Sequence, residues 1–203
     1  MPSLSLSYIA AAIICILVSM VLHEFMHGYT AYLLGDTTAF EEGRLSLNPL
    51  HHIDPFMTVI LPIISLLTFG IPVMAAKPVP FNPYRVKFAE FGAALIAAAG
   101  PLTNLVLAVA AALLAKALGL ELGPDTFLSV FIIINIALFV FNLVPIPPLD
   151  GSRIVFALAP EAVQRLMSDI EPFGLFIVLA LVLVGGFGGF LSNIDQSILN
   201  HLL

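Results

Sequence analysis

The sequence predicts an all-α polytopic membrane protein with about four transmembrane helices, a re-entrant or interfacial hairpin over residues 55–76 and a small β-hairpin over 37–47. Two observations predict it. Charged residues make up only 10% of the 203-residue chain, against 60% hydrophobic, and mean hydropathy is +1.09. Soluble domains carry about a quarter charged residues, so lipid must be the main solvent here. Apolar stretches approaching the ~20 residues that cross a bilayer also recur along the chain. No repeat or low-complexity linker divides it, so residues 1–203 are expected to form a single membrane-embedded domain. The seven Lys and Arg form no cluster, which excludes nucleic-acid binding. The lone Cys15, in an apolar run, offers neither a disulfide framework nor a cysteine metal site.

Residues 7–34 read as the first span, with Gly35 as its stop. No Lys or Arg precedes this run, and it is too long for the apolar core of a signal peptide. The stretch 36–54 changes character, holding Asp36, Glu41, Glu42, Arg44, Asn48, His51, His52 and Asp54. Its weak strand pattern, Thr and Phe followed by alternating Leu-Ser-Leu, predicts the surface hairpin over 37–47. Residues 55–76 are apolar but interrupted by Pro62, Gly70 and Pro72. Residues 77–83, Lys-Pro-Val-Pro-Phe-Asn-Pro, read as an extended loop. Spans are expected over 91–118, 126–144 and 173–191, the last loosened by Gly185, Gly186, Gly188 and Gly189. Between the last two, 152–159 and 161–171 read as short interfacial helices around Pro160.

Chemistry enters through His23-Glu24-Phe25-Met26-His27, an H-E-x-x-H pattern inside the first span. Residues four apart share a helix face, so both imidazoles reach one metal ion. Glu24 stands about 100° round the axis, beside the metal, where it can take a proton from water. A charge in mid-bilayer costs on the order of ~2.5–3.5 kcal/mol, so two His and a Glu there need compensation. A metal is the simplest form of it. A catalytic zinc requires a third protein ligand and an open position. Among His51, His52, His201, Asp54, Asp150 and Asp195, Asp150 stands out because it follows a proline-broken helix end and precedes Gly151. It could equally cap the helix that follows, and His51 and His52 remain open as ligands.

The residues together resemble the site-2 protease family of intramembrane metalloproteases. The resemblance rests on His23-Glu24-x-x-His27, Gly100-Pro101-x-x-Asn104 and Asn142-x-x-Pro145-x-Pro147-x-Leu149-Asp150-Gly151. Asn48-Pro49-x-x-His52-Ile53-Asp54-Pro55 and the run 76–83 resemble a compact bacterial subgroup without PDZ or CBS domains. The resemblance implies one Zn2+ per chain held by His23, His27 and Asp150, with Glu24 as general base. It implies that Asn142 helps bind substrate backbone or the oxyanion. The implied activity is a zinc endopeptidase acting on transmembrane segments of other proteins.

If Asp150 joins His23 and His27, the first span and the 126–144 span must run parallel, and 55–76 must return without crossing. Arg44, Lys77, Arg85, Lys87, Arg153 and Arg165 then share one side and only Lys116 the other. The positive-inside rule makes the first side cytoplasmic. The expectation is a multi-pass plasma-membrane protein with both termini outside and its metal roughly 10 Å below the cytoplasmic surface, seven residues from the helix end. Its partners would be the lipid bilayer and transmembrane substrates; oligomeric state is not legible. The competing class is a membrane metal-binding or metal-transport protein, since intramembrane His and Asp also mark ion paths.

Overall fold

The computed structural model describes residues 6–69, 76–123, 126–183 and Ser197. Helix α1 (Leu6–Leu33) ends at Gly35, whose φ of +100° turns the chain while its amide and that of Asp36 close on Tyr32 and Ala31. The short α2 (Thr38–Glu41) follows. After a single-turn helix at Pro49–His51, a π-helical stretch, Pro55–Ile60, runs into α3 (Leu61–Phe69). Then come α4 (Ala89–Leu118), α5 (Phe127–Asn142), α6 (Asp150–Leu158), α7 (Glu161–Ile170) and α8 (Gly174–Leu183).

The caps explain where the long helices stop. Thr126 caps α5 by accepting the Ser129 amide, and Gly119 ends α4 in the left-handed region at φ +63°. Pro101 lies inside α4 without ending it. Two helices are long and apolar enough to cross a membrane, Tyr8–Leu33 and Ala89–Leu118. Their outer faces expose Ile9, Ile13, Ile14 and Val18 on α1, and Leu102, Val106, Leu113 and Leu114 on α4. Continuous apolar exposure of this kind belongs against lipid.

Helix α4 is the centre of the bundle. His23 meets Asn104 and His27 meets Ile96, so α1 and α4 run antiparallel. Along α1 and α5, Ser19 meets Asn135 while His23 and His27, one to two turns on, meet Asp150 beyond the end of α5. Rising against rising numbers means that α1 and α5 are parallel, as the metal hypothesis requires. Ala108, Ala111 and Ala112 of α4 let Ile132 and Ile136 of α5 approach closely.

The long connection 35–88 begins and ends at the same place. The Lys87 amide donates to the Leu34 carbonyl at 2.9 Å. Within it, the Lys77 amide donates to the His52 carbonyl at 3.0 Å, so the apolar segment between them leaves and returns to one point. A single crossing would separate its ends by the ~30 Å of the hydrocarbon core. The breakpoints expected at Gly70 and Pro72 lie outside the described residues, as do the glycines expected to loosen the last span and the candidate ligands Asp195 and His201.

One expectation is overturned. Residues 37–47 form no β-hairpin, and no strand forms among the described residues. Asp36, fully buried, accepts the amide and hydroxyl of Thr38, while the Thr37 hydroxyl donates to Glu41 one turn on. These local bonds start a helix and offer the backbone an alternative to a ladder. The Arg44 and Leu45 amides then fold back onto the Ala39 carbonyl, which leaves Leu45-Ser46-Leu47 without a partner strand. Residues 37–47 therefore present no sheet edge.

Ala112→Leu should drive α4 and α5 apart. Overpacking of this kind costs about 1–3 kcal/mol, read as a lowered unfolding midpoint in detergent, whereas Leu114→Ala on the exposed face should move it little.

Candidate metal centre

His23 Nε2, His27 Nε2 and Asp150 Oδ2 converge. The imidazole nitrogens stand 3.0 Å apart, and Asp150 Oδ2 lies 3.1 Å from His23 and 3.3 Å from His27. Among the described residues these three form a group able to hold a metal ion. Helix periodicity supplies the two histidines, and the chain beyond α5 turns back to deliver Asp150 as the first residue of α6. Asp150 is not the N-cap that the sequence also allowed, since Leu149 holds that position and Asp150 is the first residue of α6.

The hydrogen-bond network fixes which atoms carry protons. His27 Nδ1 lies 2.7 Å from the Ile96 carbonyl, which can only accept, so Nδ1 holds the hydrogen. His23 is fixed by a longer chain. Asn135 Nδ2 donates to the Phe131 carbonyl at 2.9 Å and to the Ser19 hydroxyl at 2.8 Å. That turns Asn135 Oδ1 toward Asn104 Nδ2, 2.9 Å away. Asn104 must then present Oδ1 to His23 Nδ1, at 2.6 Å, and that nitrogen must be the donor. In the neutral imidazoles that a metal requires, both Nε2 atoms are then bare lone pairs aimed at each other and at a carboxylate.

Three acceptors at 3.0–3.3 Å repel unless something positive lies between them. The space also fits. A Cβ at Gly100 would stand 2.6 Å from His23 Nε2 and closer still to His27 Nε2, so glycine keeps this point open. Two imidazoles and one carboxylate with tautomers set by outer partners are the donor set of a catalytic zinc.

Glu24 faces the same cavity, whose volume is about 430 Å3. Its walls include Met20, Ile96, Leu138 and Phe141, with Arg153 and Glu171 also lining it. Asn142 lines it too, with its amide donating to the Leu138 carbonyl at 3.0 Å. His51 and His52 do not reach the centre. His51 Nδ1 bonds the Gly43 carbonyl and His52 Nε2 the Ser46 carbonyl, so both staple the connection 35–88.

Sequence reading missed Ser19, Asn135 and Val79. Ser19 carried a signal, since it precedes His23 by one turn on the same face. Asn135, alone in an apolar span, carried another. Val79, whose amide donates to Glu24 Oε2 at 3.0 Å, carried none.

Gly100→Ala should abolish stoichiometric zinc retention in the purified protein. Asn104→Leu frees the His23 tautomer and should weaken zinc binding about 10–100-fold, the usual worth of such an outer partner. Competition with a chelator measures both.

The chain is 40% identical over 185 residues to "Putative zinc metalloprotease YwhC" of Bacillus subtilis, covering 87% of this chain and 81% of that one. It is 30% identical over 184 residues to "Putative zinc metalloprotease Rip2" of Mycolicibacterium smegmatis, covering 88% and 70%. The Rip2 protein of Mycobacterium tuberculosis matches at 30% over 198 residues, covering 92% and 74%. No solved structure matches. The model of peptidase family M50 matches residues 114–185, which carry α5, the returning loop and Asp150. The chain belongs to peptidase family M50, the site-2 protease family.

Proposed function

We propose that this chain is a membrane-embedded zinc endopeptidase that hydrolyses peptide bonds in or near transmembrane segments of other proteins. The observation that carries the reading is the convergence of His23, His27 and Asp150 beside Glu24, within helices apolar enough to lie in a bilayer. The relatives' names, which read zinc metalloprotease, support it. His23, His27 and Asp150 would hold one zinc ion. When bound, zinc supplies Lewis acidity toward a carbonyl and toward water.

Glu24 does the proton work. Its carboxylate takes a proton from the attacking water and passes it to the leaving amine. Asn142 has two amide hydrogens and spends one on Leu138, which leaves the second for the oxyanion that develops on the scissile carbonyl. The apolar wall of Met20, Leu138 and Phe141 accepts side chains that would otherwise face lipid. Residues 76–81 close one side through Ala76, Pro78, Val79 and Phe81, which supports a role in shaping the entrance. Among the described residues, one group of side chains could hold a metal ion, His23, His27 and Asp150. A transport path needs several such stations, so this favours hydrolysis over metal transport.

The topology proposed is four spans, both termini outside the cell, and a centre near the cytoplasmic face of the plasma membrane. Three facts support it: α1 and α4 are antiparallel, the segment between His52 and Lys77 returns to its start, and six of seven basic residues belong to the metal-centre end.

Glu24→Gln should abolish cleavage of a model transmembrane substrate while retaining one zinc per chain; full activity in that variant would sink the mechanism. For orientation, a cysteine placed at the fully exposed Tyr84, with Cys15→Ala, should be labelled only from the cytoplasmic side. Labelling from outside alone would invert the proposed topology.

A further inference from the structure

The sequence Lys77-Pro78-Val79-Pro80 crosses the face of α1 that carries Glu24. Val79 is nearly buried, and its Cγ1 would lie 3.0 Å from a Cβ at Gly28. Gly28 is four residues past Glu24, so Val79 sits one turn along the same face. Pro78 and Pro80 have no amide hydrogen. Val79 therefore supplies the one backbone donor across these three positions, and that donor goes to Glu24 Oε2 at 3.0 Å. Flanking prolines thus leave a single N–H and aim it at one carboxylate.

The strand is held in place from the far side. Arg44, 8% exposed, donates to the Lys77 carbonyl at 2.9 Å and the Pro78 carbonyl at 3.2 Å. The Lys77 amide donates to the His52 carbonyl. The Asn82 amide donates to the buried Asp36 carboxylate at 2.5 Å. A guanidinium buried against two backbone carbonyls is a costly arrangement for a mere surface loop. Its Nε has no partner among the described residues, while its Nη2 makes both carbonyl bonds.

We propose that residues 77–82 form a positioning strap for the catalytic base: the Val79 amide fixes one oxygen of Glu24 and leaves the other for the proton, and Arg44 sets the strap in that register. The proposal rests on the reading of Glu24 as general base. Arg44 and Val79 are positioning residues, since neither reaches the metal ligands. A carboxylate on three rotatable bonds sweeps a wide arc, and a base misplaced by about 1 Å loses on the order of 100-fold. One backbone donor removes that freedom without adding a side chain to the cavity.

Val79→Pro deletes the amide and suits the extended backbone already imposed by its neighbours. It should lower kcat about 10–100-fold, the worth of one hydrogen bond to a charged group, with KM within about twofold and one zinc retained. Val79→Ala keeps the amide and should retain at least about ten times the kcat of Val79→Pro. Arg44→Ala should mimic Val79→Pro, and Arg44→Lys should recover only part, because an ammonium lacks the planar fork. Amide hydrogen exchange gives a readout apart from activity: protection at Val79 should fall in Glu24→Ala and in Arg44→Ala, but persist in Glu24→Gln, whose amide oxygen still accepts. Wild-type kcat in Val79→Pro, a rise in kcat in Arg44→Ala, or unchanged Val79 exchange in Glu24→Ala would each overturn the strap. Full activity in Glu24→Gln would instead remove the base assignment, while the exchange contrast would still report the contact.

Discussion

Everything in this structure follows from placing three hydrogen-bond acceptors within 3.3 Å of one another in a low-dielectric bundle. Two imidazole lone pairs and a carboxylate repel strongly where water cannot screen them. A cation at its centre would relieve that repulsion, and the chain keeps room for one. Gly100 leaves the centre vacant of carbon. The Ile96 carbonyl and the Asn104 side chain take the hydrogens that would otherwise sit on the inward nitrogens. Asp150 can arrive only if α5 runs parallel to α1, and that is possible only if α4 carries the chain back between them. The topology of the bundle is thus a consequence of the ligand set.

The same demand explains a polar thread through an otherwise apolar interior. An Asn facing hydrocarbon without partners costs several kcal/mol. Here Asn104 and Asn135, both fully buried, satisfy each other and end on the Ser19 hydroxyl and the Phe131 carbonyl. A helix carbonyl keeps a second lone pair after its ladder bond, so Phe131 anchors the thread without breaking α5. Each amide in it has one permitted orientation. That turns a bond between two spans into a device that fixes a proton on His23, and fully satisfied networks of this kind specify a single packing.

Much of this was legible in the residues, for identifiable reasons. Helices α1, α4 and α5 could be read because span length and caps such as Gly35, Thr126 and Gly119 are local signals. The two histidines and Glu24 could be read because helix periodicity alone places them. Asp150 could not be chosen over His51 or His52 from spacing, since its approach depends on a turn made by the loop beyond Asn142; the family resemblance supplied that choice. The β-hairpin failed because Asp36 and Thr37 compete locally for the backbone, a preference that outweighs a weak alternation of leucines. Val79 was invisible because its contribution is a main-chain hydrogen, and no side-chain pattern records one.

The proposed hydrolysis within lipid would need water and an apolar surface for the substrate, and the cavity has walls of both kinds. Met20, Leu138 and Phe141 are apolar and belong to α1 and α5. Arg153 and Glu171, an ion pair with both side chains about two-fifths exposed, line another part of the same cavity. Charges so exposed are tolerated facing water and are expensive facing hydrocarbon, so under the proposed mechanism water would arrive from their side. That direction is set by α6, the helix that opens with Asp150, so the turn that delivers the third ligand also brings the polar wall. The connection 35–88 lies at the same end, because its termini meet at Leu34 and Lys87 beside the metal-centre end of α1 and α4. The candidate metal ligands, the charged wall and the strap proposed to hold Glu24 therefore sit at one end of the bundle, while the remaining length of α1 and α4 is left to meet lipid.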